Sequence, residues 1–128
     1  ADHYGIPFQL NPHFIFSTVN AMRGALWALS NGQIEPYNQA MFSAAWAQGE
    51  DLSSPDALRE ILTNAGFDPE QVAVAMAQPQ IKTALIEATD DAAKRGVFGA
   101  PTFFVNGTRV ADSSMAGLSA AVDAELAK

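Results

Sequence analysis

The sequence has 128 residues, the size of one ordinary domain. Fourteen acidic residues against seven Lys and Arg give a formal net charge of −7, a surface that repels phosphate backbones and argues against nucleic acid as the main partner. Hydrophobic residues make up 48% and charged ones 16%, enough for a core and too apolar for disorder, and with no cysteine these residues can supply no disulfide, thiolate metal site or cysteine nucleophile.

Taken in chain order, Ala1 to Tyr4 followed by Gly5 read as the last turn of a helix closed by a glycine. Ile6 to Phe16 carry two prolines and no helical period, so an extended loop is expected. Ser17 or Thr18 can cap the next helix, whose apolar positions Val19, Met22, Leu26 and Leu29 step by 3, 4 and 3. Asn31-Gly32 stops it, and a second helix turns Ile34, Tyr37, Met41, Ala44 and Ala45 inward before Gly49. Ser54-Pro55 opens a third helix with the apolar stripe Leu58, Ile61, Leu62 and Ala65. Asp68-Pro69 opens a fourth to about Ala77, and Pro79 a fifth through Ile81, Leu85, Ala88 and Ala92. Lys94 and Arg95 end that fifth helix, where cations suit the helix dipole.

The period then changes. Thr102 to Val105 is a short β-type run, Asn106-Gly107 is a strong hairpin turn, and Thr108 to Val110 can return antiparallel. Asp112 or Ser113 can cap a last helix carrying Met115, Leu118, Val122 and Leu126. The fold class is therefore mainly α with one antiparallel hairpin. A lone hairpin is marginal in water, so its partner strands are expected to lie outside these residues or in another chain.

The stretch Gly96 to Gly107 is the most informative. Pro101, directly before a strand, cannot donate to the ladder and sits at the strand's first position. Either Gly99 and Pro101 only shape a turn, or a cis Ala100–Pro101 bond turns the Ala100 main chain toward an extended, peptide-like ligand. Gly-Val-Phe-Gly-Ala-Pro-Thr-Phe-Phe-Val-Asn-Gly, residues 96 to 107, resembles the cis-proline loop and hairpin of the DsbA-like branch of the thioredoxin superfamily. Tyr4-Gly5-Ile6-Pro7-Phe8, Asn11-Pro12-His13-Phe14 and Ala21-Met22-Arg23-Gly24 narrow the likeness. Together they resemble the 2-hydroxychromene-2-carboxylate isomerases, bacterial relatives of the kappa-class glutathione transferases. Trp46 to Asp51 and Ala65-Gly66-Phe67-Asp68 are similar to the same family's helical insertion.

The resemblance implies residues 1–95 as a helical insertion, with an incoming helix end and loop at 1–17, and 96–128 as the β-β-α part of a thioredoxin-like domain whose full form is α/β. A preceding β-α-β unit, with the family's nucleophile-position Ser or Cys, has no counterpart, so no catalytic residue is assigned. The implied cofactor is glutathione, with Ala100 and Pro101 holding its cysteinyl part and Asp112 and Ser113 its γ-glutamyl end. Ala111 to Ser114 nevertheless lacks the Arg and the aromatic that the family commonly carries there. Phe16 and Ser17 would border the pocket for a small aromatic carboxylate, in a cytoplasmic homodimer that engages neither membrane nor nucleic acid. Two alternatives remain: a DsbA-like thiol–disulfide oxidoreductase, and a non-catalytic copy that binds or dimerises through its open strand edge.

Other chemistry-bearing residues read as structural. His13 is a lone loop histidine, His3 has no visible partner, and Trp27 and Trp46 fall at helical spacing. Glu50-Asp51 and Asp90-Asp91 are adjacent rather than one face apart, and no metal-ligand spacing or Gly-rich phosphate loop is present.

Overall fold

Ser or Asp followed by proline starts a helix twice here, and both starts carry the hydrogen bonds that the pairing promises. In the computed structural model, which describes residues 1–13 and 15–128, the Ser54 hydroxyl accepts from the Ala57 N–H. The Asp68 carboxylate accepts from the N–H groups of Glu70 and Gln71. Proline at the first position loses nothing, because that N–H has no partner inside a helix. Phe14 of the Asn11-Pro12-His13-Phe14 string lies outside the described residues.

Among the described residues the elements are a 3₁₀ turn Asp2–Tyr4 and then α1 Val19–Ser30, α2 Ile34–Ser43, α3 Pro55–Asn64, α4 Pro69–Ala77 and α5 Pro79–Lys94. The hairpin β1 Phe104–Val105 and β2 Thr108–Arg109 follows, and α6 Met115–Leu126 ends the chain. Residues Ala44–Gln48 continue α2 as a π-helical turn. The chain divides into two compact units, Ala1–Leu85 and Ile86–Lys128, with the division inside α5.

The first unit is built on α1 to α4. Its core gathers Ala21, Ala28, Tyr37, Met41, Leu58, Leu62, Val72 and Met76 with smaller neighbours. α1 buries its small residues Ala21, Gly24 and Ala28, while Val19, Met22 and Leu29 of the expected apolar face are exposed. The reason is close approach. The Tyr37 hydroxyl donates to the Ala21 carbonyl at 2.7 Å, and a side chain at Gly24 would run into the Tyr37 ring and the Met76 methyl. Burial pushes the Tyr37 hydroxyl's pKa upward, so it remains a donor. Ala65 also departs from expectation: as the capping residue after α3 it is exposed, outside the stripe of Leu58, Ile61 and Leu62.

The π turn explains why Asn11 is buried at 3% exposure. A π turn loosens the regular ladder and leaves carbonyls to be satisfied from outside. Asn11 Nδ2 donates to the carbonyls of Ala45 and Glu50, both at 2.7 Å, and Gln9 supplies its N–H to Trp46 O and its side-chain amide to Ala47 O. Phe8 stacks on Trp46 with centroids 6.0 Å apart. The loop read from sequence as merely extended is thus fastened along this turn.

The second unit buries no residue among those described. Ala88, expected inward on α5, is exposed, and so are Met115, Val122 and Leu126 of α6. Local devices hold it. α5 ends in paired bonds from Gly96 N to Ala93 O and from Val97 N to Ala92 O, the glycine at φ 85°. β1 and β2 pair Phe104 with Arg109 and Val105 with Thr108, and Val110 N adds a bond to Phe103 O at 2.9 Å. Asn106 and Gly107 both take positive φ, as a tight hairpin turn requires. No described helix is long and apolar enough to cross a membrane.

Candidate functional site

The loop between α5 and β1 places Ala100 and Pro101 at the surface, joined by a cis peptide bond. Thr102 closes this loop: its hydroxyl donates to the Gly99 carbonyl at 2.6 Å. That hydroxyl is therefore committed to shaping the bend, and Gly99, Ala100 and Pro101, which have no polar side-chain atom, offer only their main chain. An exposed main chain beside a short strand can pair with an extended ligand as another strand would.

Asp112 and Ser113 stand before α6, but neither caps it. Ser114 does, its hydroxyl accepting from the Gly117 N–H at 3.0 Å. Asp112 stands two residues ahead of the cap, and its carboxylate accepts the Ser114 N–H at 3.0 Å in a local turn that ends before the helix begins. The Ser114 N–H, and after it the Ser114 hydroxyl, hold the Asp112 carboxyl below the usual aspartate range. An exposed carboxylate held ionised can take an ammonium group with its other oxygen.

Gly117 is the residue that sequence reasoning missed here. A Cβ at Gly117 would lie 2.6 Å from the Asp112 Cγ and would also meet the Asp112 carbonyl. Only glycine lets Asp112 fold against the first turn of α6. The sequence carries only the capping half of this arrangement, a serine at 114 with its N–H donor three residues on; the close approach of Asp112 to Gly117 shows only in three dimensions.

Phe16 and Ser17 belong to the first unit. Phe16 is half-buried and packs against the core, its ring tilted against Trp46 at 6.5 Å. Ser17 is exposed, and its hydroxyl accepts from the Val19 N–H at 3.4 Å, a loose bond at the start of α1. Thr18 occupies the cap position without a side-chain cap bond. Ala100, Pro101, Asp112 and Ser113 belong to the second unit, within which they fall on two segments, before β1 and before α6.

Two clefts in the first unit contain none of these six residues. One of about 460 Å³ between α2 and α3 is lined by amides and carboxylates, among them Gln39, Gln48, Glu50, Glu60 and Asn64. The other, about 290 Å³, lies among α1, α3 and α4. Among the described residues no group of three or more His, Asp and Glu is arranged to hold a metal ion.

The chain as a whole is similar to known proteins. The chain is 29% identical over 106 residues to a 2-hydroxychromene-2-carboxylate isomerase from Sphingobium xenophagum. The match takes in 83% of this chain and 53% of that protein, so the chain spans about half the length of the curated relative it matches. The DsbA-like thioredoxin domain family matches residues 1–123. That match covers nearly the whole chain, its helices and antiparallel hairpin are consistent with it, and the chain belongs to the DsbA-like thioredoxin domain family.

Proposed function

We propose that the protein serves a glutathione-dependent isomerisation of the 2-hydroxychromene-2-carboxylate type, contributing part of the glutathione site. The observation that supports this reading best is the 29% identity with the Sphingobium xenophagum isomerase over 83% of the chain. The absence of cysteine is consistent with it: a reaction needing a thiol would draw it from outside these residues. The same composition weighs against thiol–disulfide exchange by these 128 residues, since no dithiol can form within them.

The residues present fit glutathione chemically. Asp112 offers an ionised carboxylate for the γ-glutamyl ammonium. Ser113, exposed beside it, offers a hydroxyl to the adjoining carboxylate. The exposed main chain at Ala100 can pair with the cysteinyl part, and Pro101 leaves that edge without a competing N–H. When bound, glutathione supplies the nucleophilic thiol. Phe16 and Ser17 offer an aromatic face and a hydroxyl to an aromatic carboxylate substrate.

The test is a glutathione titration by calorimetry on the wild-type protein and two variants, with turnover of the hydroxychromene carboxylate followed in parallel. Asp112→Ala is expected to weaken glutathione by about tenfold, the scale of one charge-assisted bond at an exposed site. Ser17→Ala should leave that affinity within about twofold and act on the substrate. Glutathione binding unaffected by Asp112→Ala, or no glutathione binding at all, would overturn the assignment.

A further inference from the structure

We propose that the groove among α1, α3 and α4 binds a small apolar carboxylate, with Arg23 as its principal anion contact and Lys82 as the second. The groove holds about 290 Å³, and none of the six residues read as glutathione- or substrate-contacting lines it. Its walls include Leu58, Leu62 and Met76, and its cations are Arg23, Arg59 and Lys82.

Positive charge is concentrated in this groove. The chain has seven Lys and Arg against fourteen acids, yet three of those seven cations line this one groove and no carboxylate does. Glu70 pairs with Arg59 from outside the lining, which leaves Arg23 and Lys82 as the uncompensated positive charges there. Like charges gathered in one groove repel one another, and in an otherwise acidic protein such a groove is a local attractor for an anion.

The hydrogen bonding of Arg23 points the same way independently of charge. The Nε of Arg23 is buried and has no hydrogen-bond partner among the described residues. Its Nη1 has only a long contact, 3.5 Å, to Asn20 Oδ1 on the same helix. A guanidinium N–H removed from water and left unpaired is costly, and a carboxylate is the group whose two oxygens match the Arg fork. Phosphate would satisfy the fork equally, but it is hydrated all round and gains nothing from Leu58, Leu62 and Met76. A carboxylate on a ring or short aliphatic body uses both features. The volume is at the small end for ligand sites, which limits the body to the order of ten heavy atoms.

The test uses benzoate as the probe, titrated into the protein while the Met76 methyl and the Arg23 Nε–H resonances are followed by NMR. Acetate and benzyl alcohol serve as the charged and the apolar halves of the probe. Saturable binding of benzoate in the millimolar range is expected, with each half binding at least about tenfold more weakly. Arg23→Gln and Lys82→Gln should each weaken benzoate by roughly fivefold or more, and Lys94→Gln, a cation on α5 outside the groove, should not. Lys82 is exposed, so its variant remains informative if Arg23→Gln disturbs folding. The proposal is overturned if benzoate binds no better than acetate. It is overturned equally if Lys82→Gln leaves the affinity unchanged, or if Lys94→Gln weakens it as much. No glutathione is needed in any arm, so failure here and failure of the isomerase reading are separate results.

Discussion

The two units are held together by different physics. Residues 1–85 bury a connected core in which Tyr37 and Val72 are almost wholly removed from water. Residues 86–128 bury no described residue and rely on caps, a tight turn and short-range polar contacts. Contacts of the first kind are cooperative, because removing one atom is felt through close packing. Contacts of the second kind are local and each is worth about 1 kcal/mol or less. The contrast teaches where to look for each role: specificity of shape in the first unit, and exposed main chain and ionised side chains in the second.

The largest expected break of this contrast is Gly24→Val. The new side chain would enter the space of the Tyr37 ring and the Met76 methyl, with Met76 Cε 2.6 Å from the added Cβ. Overpacking costs typically 1–3 kcal/mol, and loss of the Tyr37–Ala21 bond adds about 1. The gain in helix propensity from replacing glycine is only a few tenths. The first unit should therefore lose about 3 kcal/mol of stability, read as a lower midpoint in urea unfolding followed by the fluorescence of Trp27 and Trp46, which both lie in it. A midpoint unchanged from wild type would mean that α1 can shift away from α2 and α4, and that the small-residue face is not what fixes their approach.

That face also marks the limit of what sequence could show. The helices, their caps at Ser54 and Asp68 and the hairpin at Asn106-Gly107 were all legible, because each depends on short-range chemistry. The buried side of α1 was not. Val19, Met22 and Leu29 make the stronger apolar pattern, and only the Tyr37 hydroxyl, sixteen residues from its acceptor Ala21, reveals that the smaller residues are inside. The same holds for Asn11, whose partners lie 34 and 39 residues away, Ala45 on a π turn that no period announces and Glu50 just after it. At the candidate site Asp112 was legible as a residue near a helix start, but its fold-back onto Ser114 and its dependence on Gly117 are matters of three-dimensional closeness.

A middle-sized effect sharpens the contrast in the second unit. Ser114→Ala removes the one side-chain cap of α6, which serves a helix with no buried residue to compensate. A lost cap costs about 1 kcal/mol. Because so little tertiary packing supports α6, the loss should appear as faster hydrogen exchange of amides in its first turns, with α1 to α4 unchanged. Faster exchange spreading into α1 to α4 would show that the two units are coupled more tightly than their separate packing implies.

The smallest effect is a pH dependence at the far end of the same unit. Glu125 accepts from the Asn106 side-chain amide at 3.1 Å and from Lys128 at 2.5 Å, so it ties the hairpin turn to the last turn of α6. Lys128 first, and Asn106 second, hold its carboxyl below the usual glutamate range. A depressed folded-state pKa means that ionised Glu125 stabilises the folded form fully at any pH above its ordinary unfolded value. The contribution falls away as pH drops through the lower folded value, where protonation removes the charge that both donors prefer. The Asn106 side-chain amide resonances should accordingly titrate below the ordinary glutamate range and be flat through neutral pH. Glu125→Gln should abolish that titration while leaving the urea midpoint of the tryptophan signal unmoved, since the contact is solvent-exposed and lies outside the core that Trp27 and Trp46 report. A shift of that midpoint on substitution would place Glu125 among the cooperative contacts, and the division between the two units would then be one of geometry and not of energetics.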